Sequence, residues 1–180
     1  MPASARNEAF ETTVLPHLDA AHNLARWLMR DTTAAEDVLQ EALLRSLNYF
    51  PSFRGVNPRA WLLQIVRNAA YDSINLNRGV QLVPLAGSAA DIEAGAIELP
   101  AEADDPEESL IRVRDLSRVR ALVAELPVEL RETLILRELE ELSYKEISDV
   151  TQTPIGTVMS RLWRARRRLI EAAGQAEKTP

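Results

Sequence analysis

The 180-residue chain has no cysteine, which excludes disulfides, thiolate nucleophiles and Cys-ligated zinc. Its two histidines, His17 and His22, lie five apart beside Asp19, a poor ligand spacing on a helix. With so few histidines there is little room for a metal site or a Ser-His-Asp triad. The six glycines form no phosphate-cradling loop. No apolar run approaches the ~20 residues that span a bilayer. The first eleven residues lack the basic-then-apolar pattern of a signal peptide. These absences make an enzyme the least favoured class, imply no cofactor, no metal and no membrane insertion, and set a cytoplasmic location as the default expectation. What is present, 46% apolar and 27% charged residues, describes a globular protein.

The formal charge of −6 hides a strong asymmetry. Residues 81–109 hold eight acids and no base, and setting those acids aside leaves +2 for the rest. Thr157 to Leu169 holds five arginines (Arg161, Arg164, Arg166, Arg167, Arg168) and no acid. A run of like charge is usually a solvated helix face, but five uncompensated arginines point to nucleic acid more directly than total charge does. The acidic segment lacks aromatics and sustained periodicity and reads as a mobile linker. It divides the chain into residues 10–80 and 110–173.

Both parts read as all-helical. In the first, Leu18, Ala21, Leu24, Ala25 and Leu28 recur at helical spacing after Pro16. Thr32 or Thr33 is placed to cap a second helix burying Ala34, Val38, Leu39, Ala42, Leu43 and Leu47. A loop from Ser52 to Asn57 follows. Asn57-Pro58 opens a third helix, to about Asn77, that buries Trp61, Leu62, Ile65, Val66 and Ala69. In the second part, Leu110, Val113, Leu116, Val119, Leu122 and Val123 form one stripe, and Leu130, Leu134 and Ile135 another. Ser143 and Glu146 fit a capping box, in which each side chain bonds the other's backbone N–H. A short helix, Tyr144 to Val150, and a turn at Thr151–Thr153 precede a long helix opened by Pro154.

A short helix, a tight turn and a long basic helix outline a helix-turn-helix, whose second helix enters the major groove by its N-terminal residues. Here these are Thr157, Met159, Ser160 and Arg161, with Arg164 one turn on. Arg166, Arg167 and Arg168 fall where phosphates pass. Val158, Leu162, Ala165 and Leu169 face inward, and Trp163 falls off that stripe, its role open. The plain alternative is a helical hairpin within a bundle.

The motifs "LP…LRETLILRELE", "LSYKEIS" and "TPIGTVMSRLWRARRRL" resemble, in order and spacing, region 4 of bacterial sigma factors of the extracytoplasmic-function (ECF) group of the sigma-70 family. "AAEDVLQEALLRSL" at Ala34–Leu47 and "FRGVNPRAWLLQIVRNAAYD" at Phe53–Asp72 resemble region 2 of the same group. The resemblance implies two small helical domains, a region 2 bundle and a region 4 helix-turn-helix, joined by a flexible acidic linker. It implies a transcription initiation factor that brings core RNA polymerase to −35 and −10 promoter elements and promotes DNA opening.

In that family the segment around Ala34–Leu47 docks on the polymerase clamp coiled coil and the polymerase flap is a second contact. Asp37 and Glu41 lie four apart on one helix face, flanked by Asp31, Glu36 and Gln40, and suit that docking. For the −10 element the resemblance points to Phe53, Arg54 and Asn57 in the loop. It adds Arg59, Gln64, Arg67, Asn68 and Tyr71 on the outward side of the following helix, where stacking and polar edges hold unstacked bases. Met159 stands where the family often has lysine, which implies an altered −35 preference. An anti-sigma factor is the further partner implied. An ordinary helix-turn-helix repressor would leave Ala34–Asp72 without purpose, and a decoy that only sequesters an anti-sigma factor would not need the arginines.

The linker has 29 residues. At ~3.3 Å per residue it reaches about 95 Å, more than the ~70 Å of two DNA turns. A tether of that length lets two weak DNA contacts act as one.

Overall fold

The computed structural model describes the backbone of residues 3–80 and 106–176 and the side chains of 5–77 and 116–174. Among the described residues all regular structure is helical. Helices α1 (Ala3–Val14), α2 (Leu18–Met29), α3 (Thr32–Tyr49) and α4 (Pro58–Val80) form the first module. Helices α5 (Pro106–Glu125), α6 (Val128–Glu138), α7 (Tyr144–Thr151) and α8 (Ile155–Ala176) form the second.

Helix α1 lies largely outside the expected first module and has no clear apolar face, yet Phe10 and Val14 anchor it on the core. Helix α2 buries Ala21, Leu24, Ala25 and Leu28, as its periodicity requires. The cap of α3 is Asp31, not Thr32 or Thr33: its carboxylate accepts from the Ala34 amide at 2.6 Å. An ionised acceptor at the positive end of the helix outcompetes a hydroxyl one residue on. The buried face of α3 is rotated from the expected one. Ala35, Val38, Ala42 and Ser46 are inside, while Leu47 is exposed and Ala34, Leu39 and Leu43 are half-buried. Small residues let α3 pack closely against α2 and α4. Helix α4 starts where Asn57 accepts from the Ala60 amide at 3.0 Å, with Pro58 at the first helical position. It buries Leu62, Leu63, Ile65, Val66, Ala69 and Ala70.

In the second module α5 begins at Pro106, inside the segment read as linker; the rest of that segment, 81–105, lies outside the described residues, as do the side chains of Leu110 and Val113. Of the expected α5 stripe Val123 is buried, Leu116 and Leu122 are half-buried and Val119 is exposed. The capping box is present: Glu146 N–H donates to Ser143 Oγ at 3.2 Å, and Ser143 N–H to Glu146 Oε2 at 2.8 Å. Helix α7 ends on Gln152 in the left-handed region at φ 54°. The amides of Gln152 and Thr153 both donate to the Ser148 carbonyl, and the Ser148 hydroxyl donates to the Thr153 carbonyl, so the turn is stitched locally. Pro154 accepts the first bonds of α8 from Thr157 and Val158.

The bonds from Ser143, the larger effect, hold the Glu146 carboxyl below its ordinary range. Its contribution is complete above the ordinary carboxylate pKa and fades as pH falls through the depressed folded value. Ser143→Ala is expected to cost about 1 kcal/mol. Glu146→Gln keeps an acceptor but removes the titration, so the stability difference between wild type and variant should shrink on acidification below pH ~4.5. Thermal unfolding at pH 7 and pH 4 checks this, and a difference independent of pH would contradict it.

The modules are not separate bodies on a string. Helix α2 packs on α6 and α4 on α7, and the buried apolar residues of both modules form one continuous cluster. Helix α6 is therefore buried on every side from Leu130 to Leu136, charged residues included. Arg131 is 3% exposed and donates to the carbonyls of Ala124, Leu126 and Leu28, spanning the end of α5 and the last turn of α2. Burial pushes its pKa down to about 10.

Candidate nucleic-acid interface

Helix α8 is held by Val158, Leu162 and Ala165, all buried, with Leu169 half-buried against the core. Its outer face presents Met159, Ser160, Arg164, Arg166, Arg167 and Arg168 to solvent, with Thr157 half-buried. The arginines divide into two sets. Arg161 bonds Glu132 at 3.3 Å, Arg166 bonds Glu138 at 2.6 Å, and Arg167 bonds Glu171 at 2.7 Å. Among the described residues Arg164 reaches the Ser160 carbonyl alone, at 3.4 Å, and Arg168 is exposed. The stripe that lacks acids locally in sequence is thus partly balanced by α6 in space. Trp163, left open by the sequence, is 60% exposed with the Arg167 guanidinium 5.2 Å from its ring centre. With Met159, Tyr144 and Ile170 it borders a shallow groove.

Phe53, Arg54, Asn57 and Gln64 meet in one cleft of about 380 Å³, lined also by Trp61 and, from α7, by Asp149 and Val150. The Phe53 ring lies 4.7 Å from that of Trp61, which is half-buried instead of fully in the core. Arg54 donates to the carbonyls of Pro51 and Phe53, at 2.7 and 2.9 Å, shaping the loop. A side chain at Gly55 would come within 2.9 Å of the Phe53 ring.

Arg59, Arg67 and Tyr71 do not share that cleft, and they do not face outward. They face the second module. Arg67 Nε donates to Glu132 Oε2 at 3.0 Å and Arg59 donates to Glu140 Oε2. Asn57 donates to Glu146 Oε1 at 2.6 Å. Asn23 of α2 donates to the other Glu140 oxygen at 2.9 Å. Only Asn68 of the α4 group is exposed. The Arg67 guanidinium stacks 4.2 Å from the Tyr71 ring centre, and burial, then the Glu132 carboxylate, push the Tyr71 hydroxyl far above its ordinary range. That hydroxyl is buried beside the Glu132 carboxylate. Burial likewise raises the Glu132 carboxyl, against the pull of Arg67 and then Arg161.

On α3, Glu36, Asp37, Gln40 and Glu41 are all exposed, and Asp31 is engaged as cap. Glu41 bonds Arg45 at 2.8 Å, and Arg45 also bonds Asp72 of α4 at 2.7 Å.

Sequence reasoning missed Glu132, Glu140 and Glu146 as partners of the candidate DNA residues. Glu132 lies away from the apolar stripe of α6, the normal place for a solvated acid, and no local pattern marks it as the buried centre of a contact between modules.

Family models match both modules: sigma-70 region 2 at residues 13–79 and sigma-70 region 4 at 116–169. Among curated proteins, the chain is 34% identical over 167 residues to the RNA polymerase sigma-H factor of Pseudomonas aeruginosa, covering 91% of this chain and 86% of that one. It is 32% identical over 154 residues to the ECF RNA polymerase sigma-E factor of Escherichia coli K12, covering 81% and 78%. Among solved structures, the sigma factor RpoE of Bartonella quintana, crystallised with the anti-sigma factor NepR, aligns with TM-score 0.69 and 31% identity over 91% of this chain and 96% of that one.

Proposed function

The chain belongs to the ECF group of the sigma-70 family and is a promoter-specific transcription initiation factor, and on that premise we propose how its residues divide the work. The N-terminal turns of α8 read the −35 element, with Thr157, Met159, Ser160, Arg161 and Arg164 at base edges and Arg166, Arg167 and Arg168 on phosphates. The cleft of Phe53, Arg54, Asn57 and Gln64 receives unstacked −10 bases, and Arg59, Arg67, Asn68 and Tyr71 follow the strand along α4 once exposed. The face of Asp31, Glu36, Asp37, Gln40 and Glu41 docks on core RNA polymerase. Residues 10–80 and 110–173 act as separate units on the promoter, with 81–109 as tether. The chain works in the cytoplasm, without a cofactor and without catalysing a reaction, and an anti-sigma factor holds it inactive.

The observation that carries this reading is the pair of exposed faces. One is a buttressed helix-turn-helix with arginines outward; the other is an acidic helix whose ionised groups stay in water. Among the described residues no helix is long and apolar enough to cross a membrane. The test is a pull-down of purified chain with core polymerase at modest ionic strength, together with run-off transcription from bound promoters. A chain that binds duplex but not polymerase would be an ordinary helix-turn-helix regulator.

Deleting Asp91–Asp105 is expected to impair initiation far more than polymerase binding, because it shortens the tether below two DNA turns without touching α3 or α5. Equal loss in the pull-down and the transcription assay would count against the tether.

A further inference from the structure

The three phenylalanines of the chain, Phe10, Phe50 and Phe53, stand ring against ring in the first module. The Phe10 ring, from α1, meets the Phe50 ring edge-on, with 5.3 Å between centres and 90° between planes. Phe50 stacks on Phe53 at 6.3 Å and 17°. Phe53 in turn meets Trp61 of α4 at 4.7 Å, and Trp61 also lies 6.4 Å from Phe50. All four rings are half-buried, so the row runs along the margin of the core. Its far end, Phe53 and Trp61, walls the cleft proposed to receive unstacked −10 bases. Its near end, Phe10, does not line that cleft and lies ahead of residues 13–79, the stretch matched by region 2.

We propose that Phe10 is a positioning residue for base capture. Acting through Phe50, it holds the Phe53 ring in the attitude that keeps the cleft ready for a base. The proposal rests on the reading of that cleft as the −10 base site.

The loop does not fix the ring by its own bonds. Ser52 Oγ donates to the Tyr49 carbonyl at 2.7 Å, Phe53 N–H donates to the Phe50 carbonyl at 3.0 Å, and Arg54 donates to the carbonyls of Pro51 and Phe53. These bonds set the backbone of the turn and leave the side-chain rotamer of Phe53 to packing. Packing arrives from two helices. Trp61 brings support from α4, and Phe50 brings it from α1 by way of Phe10. On the loop side the ring fills the space over Gly55, where a Cβ would come within 2.9 Å of it, closer than carbon atoms pack. The contact of Phe10 with Phe50 is also directional. A ring edge is positive and a ring face negative, so an edge-on pair orients both rings. An aliphatic side chain at position 10 would fill the volume without orienting Phe50. The row therefore gives α1, which has no clear apolar face, a task beyond covering the core. If Phe53 samples other rotamers, the fraction of chains ready to take a base falls, and apparent affinity for the unstacked base falls with it.

The test uses the full chain with core polymerase and promoter fragments carrying 2-aminopurine at one −10 position at a time, a base that brightens when it leaves the stack. Wild type should brighten the captured position. Phe10→Leu keeps apolar bulk but removes the ring, and should weaken capture at that position about threefold to tenfold, the worth of one aromatic pair. Its pull-down by core polymerase should match wild type. Phe10→Tyr, which restores a ring, should recover most of the loss. Gly55→Ala pushes the same Phe53 ring from the loop side and should reproduce the loss. The double variant Phe10→Leu/Gly55→Ala should lose less than the product of the two single losses, since both act on one ring. A mere anchor for α1 would lower thermal stability and leave capture by the folded chain intact. Equal capture by wild type and Phe10→Leu, or losses that multiply in the double variant, overturn the relay and leave the −10 reading standing. Should α1 come loose in Phe10→Leu, seen as lost helix by circular dichroism, Phe50→Leu breaks the row one ring further on and decides by the same readings. If wild type brightens no −10 position, the reading of the cleft fails and the proposal with it.

Discussion

Arg164→Ala is expected to lower promoter-dependent transcription by about tenfold to a hundredfold, the equivalent of one lost bidentate contact to guanine. Arg164 is on the exposed face of α8, and its bond to the Ser160 carbonyl of its own helix is long. Removing it leaves the core residues Val158, Leu162 and Ala165 untouched. The loss should therefore appear with no change in thermal stability, and should be largest on promoters with one particular base at the contacted position. Arg168→Ala makes a useful contrast. As a phosphate contact it should weaken binding evenly across sequences and reduce the salt dependence of log K by about one unit. Arg161→Ala should behave like neither, because Arg161 also holds Glu132. It should lose −35 recognition and loosen the contact between modules together. A uniform effect of all three variants across promoters would show that the basic face of α8 binds charge and does not read bases.

Reversing the acidic face of α3 should have an effect of similar size on a different step. Asp37→Lys/Glu41→Lys puts two cations where a basic partner surface would dock, and like-charge juxtaposition across an interface costs several kcal/mol. Polymerase affinity should drop about a hundredfold or more, while binding of the free chain to promoter duplex is unchanged. Helix α3 should survive the change. Asp37 is not its cap, and the exposed pair of Glu41 with Arg45 contributes little. Arg45→Ala is the control, since it removes the exposed pairs with Glu41 and Asp72 without reversing the charge of the docking face. Surface plasmon resonance with core polymerase separates the two. If the reversed face binds polymerase as tightly as wild type, α3 is not the docking helix.

The elements were legible in the sequence wherever local chemistry decides them. The Ser143–Glu146 box, the Asn57-Pro58 start and the Thr151–Thr153 turn all follow from side chains bonding backbone a few residues away. The inward face of α8 follows from one apolar stripe. Legibility ended where burial depends on a second module. Helix α6 carries a one-sided stripe, Leu130, Leu134 and Ile135, yet it is enclosed on all sides because α2 packs on it as well as α8. For the same reason Arg59 and Arg67, polar residues off the apolar stripe of α4, were read as outward and instead face carboxylates 81 and 65 residues away. The cap of α3 failed for a smaller reason, because three adjacent residues can all accept a bond and the ionised one wins. Ser46 takes the place of Leu47 in the core because close helix packing selects small residues that hydrophobicity alone ranks low, and the same rotation of the buried face brings Ala35 in and turns Ala34 out.

Run-off transcription with core polymerase and a pool of genomic promoter fragments, read by sequencing the 5′ ends, tests the central claim most directly. The account predicts start sites that appear only when this chain is added, that share paired upstream elements about two helical turns apart, and that vanish with Asp37→Lys/Glu41→Lys and with Arg164→Ala. Start sites identical with and without the chain, or no association of the chain with core polymerase, would contradict it.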